Sequence, residues 1–164
     1  MSMEKEVLKF FVGSCQCEDC SKPYGTSILS KLLDESKAYS VLEESEDIIR
    51  VANVLSELDL EAKIDPDLVN SILKKQEGVL GDTNSFRIRL LAFCLFMHIS
   101  DSDKEKRYEE LIKCMEKAFG NYYREVRLLY SILRRCSARS GNFAKALKLT
   151  EKIGEFKRMG FKPL

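Results

Sequence analysis

A chain of 164 residues is long enough for one domain with its own core and short for two. Hydrophobic residues at 45% and charged residues at 32%, with only eight Gly and three Pro, exclude a disordered chain and indicate a globular one rich in regular structure. The net charge of +1 conceals an asymmetry: residues 1–80 hold nine Lys/Arg against sixteen Asp/Glu, and the remainder holds eighteen against ten.

The first residues, Met-Ser-Met-Glu-Lys-Glu, show no basic leader, and the most apolar run, residues 90–99, is half of the ~20 residues that a membrane-spanning helix needs. The expected location is therefore cytoplasmic, with the six cysteines reduced. Cys94, Cys114 and Cys136 fall on apolar helical faces and are expected to be small core residues.

Apolar residues recur at spacings of three and four throughout, so the predicted elements are helices. The first covers residues 3–12 and leads into a Cys-rich loop, Ser14-Cys15-Gln16-Cys17-Glu18-Asp19-Cys20. After the turn chemistry of Pro23-Tyr24-Gly25, a second helix starts near Thr26, with Ile28, Leu29, Leu32 and Leu33 as its inner stripe. Ser45 is read as the cap of a third, which carries Ile48, Ile49, Ala52, Leu55 and Leu58 on one face. Asp65-Pro66-Asp67 is the clearest start signal, because Pro66 at the first helical position loses no needed donor; that helix is expected to reach Val79 and to end with the help of Gly81. Thr83 or Asn84 then opens a helix through Phe86, Leu90, Leu91, Phe93, Cys94 and Met97, apolar nearly all round and so central. Ser100-Asp101-Ser102-Asp103 caps the next, which Gly120-Asn121 stops. The last pair spans residues 122–139 and 143–159, joined by Ser140-Gly141-Asn142.

The predicted starts at Glu46, Asn84 and Tyr122 step by 38 residues, a period expected of stacked helical hairpins. The segment Tyr130-Ser-Ile-Leu-Arg-Arg-Cys-Ser-Ala-Arg-Ser-Gly141-Asn-Phe143-Ala-Lys-Ala146-Leu147-Lys-Leu149 resembles one unit of a tetratricopeptide or pentatricopeptide repeat, and Met159-Gly160-Phe161-Lys162-Pro163 resembles the end of one. The likeness covers residues 122–163. It implies an all-α fold of stacked antiparallel helical hairpins, a tetratricopeptide-like α-α superhelix of about seven or eight helices. Residues 1–164 are read as a single domain, with N-terminal helices and the Cys-rich loop in residues 1–40 and three hairpins in residues 45–164. In tetratricopeptide proteins the concave face receives a peptide or protein; in pentatricopeptide proteins it receives single-stranded RNA.

Cys15, Cys17 and Cys20 are spaced to place three soft thiolates around one zinc ion, with the fourth ligand from His98, an acidic side chain or a second copy. A redox-active thiol group and an ordinary loop are the alternatives, and the ordinary loop is preferred. His98, the only histidine, lies among apolar residues and is read as a core side chain. No glycine-rich phosphate cradle and no paired His-Glu metal motif is present, so the chain is not expected to be an enzyme.

From Asn121 onward there are eleven Lys/Arg against three acidic residues. Arg127, Arg134, Arg135, Lys145, Lys148 and Lys152 give each helix of the last hairpin a basic stripe, suited to an acidic protein surface or a phosphate backbone. Tyr122, Tyr123, Tyr130, Phe143, Phe156 and Phe161 are assigned mostly to the core, which weakens the nucleic-acid reading. The expectation is a non-enzymatic interaction module for a peptide or protein partner, held in a groove formed by the first helices of successive hairpins. Single-stranded RNA bound by the C-terminal hairpin, or a metal held by the Cys-rich loop, are the alternatives.

Overall fold

The computed structural model describes residues 31–57, 65–95, 97 and 99–161. Among these residues the fold is all-α and contains six helices rather than seven or eight: α1 Glu35–Glu57, α2 Pro66–Gln76, α3 Ser85–Cys94, α4 Asp101–Phe119, α5 Arg124–Arg139 and α6 Phe143–Arg158. The predicted helix over residues 3–12 and the start near Thr26 lie outside the described residues.

The helix starts follow from local chemistry. Asp65 accepts a hydrogen bond from the Asp67 backbone N–H at 2.9 Å, with Pro66 in the first turn of α2. Asn84 accepts from the Phe86 N–H at 3.0 Å to open α3, and Ser100 accepts from the Asp103 N–H at 3.1 Å to open α4. Gly120 and Gly141, at φ 88° and 81°, adopt the left-handed backbone that ends α4 and turns α5 into α6.

Three expectations are corrected. Ser45 is not a cap: α1 begins eleven residues earlier than Glu46, at Glu35, where Asp34 accepts from the Ser36 N–H at 3.1 Å. Ser45 is buried inside the helix, donating to the Val41 carbonyl at 2.5 Å and accepting from Gln76 Nε2 at 2.9 Å. Leu32 and Leu33 are not a helical stripe either. Leu32 forms an isolated antiparallel bridge with Leu80, the Leu33 N–H donates to the Val79 carbonyl at 2.7 Å, and the Leu33 side chain is 57% exposed. Finally, α2 ends at Gln76 rather than Val79, because Gly78, at φ 73°, makes the turn. Gly81 serves a different purpose, lying so close to Lys31 that a Cβ there would meet its side chain at 3.0 Å.

Each helix packs on the next in sequence, from α1 on α2 through to α5 on α6, and α1 also packs on α3. The 38-residue step holds to within one residue between the starts of α3 and α5 but fails between α1 and α3. The main core is built around α3, whose residues are buried on nearly every side, with Leu90, Leu91, Leu111, Met115, Val126 and Leu129 fully enclosed. A smaller core joins Ala38, Val41, Leu42 and Ile49 of α1 to Val79, Leu80 and Phe86. No described helix is long and apolar enough to cross a membrane.

Candidate functional site

The six basic residues singled out in the sequence all fall on the α5–α6 hairpin, but their surroundings differ. Lys145 turns back into the protein, where it pairs with Glu105 and, at 2.6 Å, with Glu109, both on α4. Burial by itself would lower the Lys145 pKa; hydrogen bonds to Glu105 and Glu109 outweigh it and hold the ammonium above its usual value. Arg127 is half-buried with its guanidinium 4.5 Å from the centre of the Phe161 ring. Lys152 approaches Glu155 at 3.6 Å and lies 5.6 Å from the Phe156 ring centre. Arg134 is half-buried, and Arg135 and Lys148 are exposed.

The sequence reading missed the apolar surface beside them. Phe143 is 71% exposed and Leu147 63% exposed, one turn apart on α6. Leu147 and the buried Phe156 are nine residues apart, two and a half turns, and so lie on opposite sides of the helix. The signal was present in the sequence: the apolar residues of α6 fall into two sets, Leu149 with Phe156 and Phe143 with Leu147, and one helix in this position buries only one of them.

The aromatic residues are likewise divided. Phe156 is buried as expected, whereas Tyr122 is 51% exposed. Tyr122 stacks on Phe161 with ring centres 5.5 Å apart, and Phe119 stacks on Tyr123 at 5.0 Å. Tyr130 packs against Phe156 and donates its hydroxyl to Glu116 at 2.7 Å; burial and that hydrogen bond together raise its pKa well above the usual phenol range.

A recess of about 450 Å³ opens between the start of α2, the end of α3 and the start of α4. Asp67, Asn70, Cys94, Met97, Asp103 and Arg107 are among the residues lining it. Arg107 is already held by Asn70 at 2.5 Å and by Glu110 at 3.1 Å. Burial pushes the Cys94 thiol up to about 12, so it stays protonated and is a poor nucleophile. Burial raises Cys114 and Cys136 as well, in keeping with core roles.

Cys15, Cys17, Cys20 and His98 lie outside the described residues, and among the described ones no group of three His, Cys, Asp or Glu is placed to hold a metal. The sequence matches no protein-family model, and comparison with curated proteins finds no match.

Proposed function

We propose that the chain is a non-enzymatic helical-repeat module, of tetratricopeptide or pentatricopeptide type, that binds a protein or peptide partner through its C-terminal hairpin. The observation that carries this reading is the pair Phe143 and Leu147, exposed on the face of α6 opposite its buried stripe and flanked by the exposed cations Lys148 and Arg158. Exposed apolar side chains with cations beside them suit an amphipathic partner that carries acidic groups. This reading places the binding face on α6 and not in the groove expected along the first helices, where nearly every residue of α3 is buried.

A single-stranded RNA partner is the second reading, favoured by the half-exposed Tyr122 stacked on Phe161 beside the Arg127 guanidinium, an arrangement that a base can extend. One titration separates the two. The protein is mixed with a labelled acidic amphipathic helical peptide and, separately, with mixed-sequence RNA, at about 50 mM and about 500 mM salt. The protein-partner reading expects peptide binding that weakens with salt and falls about tenfold or more with Leu147→Glu. Peptide binding indifferent to both changes sinks it, and RNA binding lost with Tyr122→Ala favours the second reading.

A further inference from the structure

The helices follow one packing rule: each second helix of a pair lies against the first helix of the next pair, α2 on α3 and α4 on α5. Among the described residues α6 has no following helix and α1 has no preceding one. Both have apolar side chains on the faces left open. On α6 these are Phe143 and Leu147; on α1 they are Tyr39, Val51 and Val54, all close to half exposed or more. Tyr39 and the buried Ala52 of α1 are thirteen residues apart, and Val54 and the buried Ser45 nine apart, so both exposed residues lie away from the buried stripe.

The two faces differ in net charge, with a small basic excess on α6 and an acidic excess on α1. The open side of α6 presents Lys148, Lys157 and Arg158, none of them in an ion pair among the described residues, with the acidic residues Glu151 and Glu155 among them. The open side of α1 presents Glu43, Glu46 and Asp47, and its one cation, Arg50, is engaged by Glu46 at 3.3 Å and Asp47 at 3.9 Å. The same asymmetry runs through the whole sequence, acidic in residues 1–80 and basic after them.

We infer that the open face of α6 docks on the open face of α1 in a second copy of this chain, head to tail. The contact repeats the α2-on-α3 and α4-on-α5 steps across a molecular boundary. It joins two different patches, so each added copy leaves one of each free and the stack stays open rather than closing as a dimer. The inference rests on the reading of α6 as a partner-binding face and names that partner.

Sedimentation of the full chain from about 1 to about 100 µM tests it. The weight-average mass is expected to rise past that of a dimer with concentration, and to fall toward the monomer when salt is raised about tenfold. Leu147→Glu places an acid on α6 against the acidic α1, and Val54→Lys places a base on α1 against the basic α6. Each variant alone is expected to remain monomeric. Mixed together they are expected to associate again, since the intact α6 of one meets the intact α1 of the other, and this rescue also shows that both variants fold. A monomer at every concentration overturns the inference, as does a mass that levels off at a dimer blocked by Leu147→Glu but not by Val54→Lys. A monomer that still binds the acidic peptide through α6 overturns self-stacking alone; a stack that binds no such peptide leaves the second copy as the partner and removes the general peptide-binding reading.

Discussion

Glu105 of α4 sits where burial alone would favour its neutral form, yet it is held as a carboxylate by donors from the next hairpin. Burial raises its pKa, and hydrogen bonds from Lys145 and Ser140 outweigh that and bring it below its ordinary 4.5. Ser140 donates at 2.8 Å and Asn142 at 3.2 Å, so one side chain binds both the turn between α5 and α6 and the first turn of α6. A depressed carboxylate contributes stability that is present above pH 4.5 and lost as pH falls through the lower, folded value. Lys145, raised above 10.5, contributes stability that is present below 10.5 and lost as pH rises through its folded value. The lock is therefore whole between those limits. Glu105→Ala is expected to cost about 2 kcal/mol at neutral pH, with the loss shrinking when urea melts are repeated below the folded pKa of Glu105. A loss of equal size in acid counts against the lock. No sequence pattern announces it, because Glu105 and Lys145 are separated by a whole helix and two turns, and Lys145 reads from its spacing as one more member of a solvated stripe.

At the scale of a helix, α1 shows how a local signal misleads. Ser45-Glu46-Asp47 has the chemistry of a helix start, and only the inward run Ala38, Val41, Leu42, Ser45, Ile49 and Ala52, unbroken at helical spacing, shows that the helix passes through it. The serine instead meets Gln76 from α2, where it accepts the amide hydrogen that the surrounding apolar residues cannot. Ser45→Ala strands that amide, whose Oε1 already lacks a partner, and is expected to cost about 1–3 kcal/mol in chemical denaturation. The double change Ser45→Ala with Gln76→Leu removes both groups together and is expected to recover most of the loss. If Ser45 were a cap, the double variant would stay as weak as the single one. The starts of α2, α3 and α4 were legible because their caps act over two or three residues, within reach of a sequence reading. The bridge between Leu32 and Leu80 was not, since it joins backbone groups far apart in sequence and leaves no periodic trace.

For the whole molecule, consecutive packing makes stability approximately a sum of neighbouring contacts, so the ends of the row should open before its middle. Nearly all of α3 is buried, whereas α6 buries only Leu149 and Phe156 and leans on a single neighbour, α5, for most of its support. Amide hydrogen exchange is expected to show α6 opening about tenfold or more faster than α3, whose amides should exchange only through global unfolding. Leu90→Ala, at a fully enclosed site, should lower the stability of the whole row by about 2–5 kcal/mol. Leu149→Ala, at the margin of the core, should instead speed exchange mainly in α6. Uniform protection from α1 to α6 would mean that the row unfolds as one unit and would rule out this gradient. The gradient also reports on stacking, because the proposed docking of α6 on the α1 of another copy gives each of these two helices a further neighbour. Protection in α6 and α1 should then rise with protein concentration in the wild type, remain fixed in Leu147→Glu, and leave α3 unchanged in either.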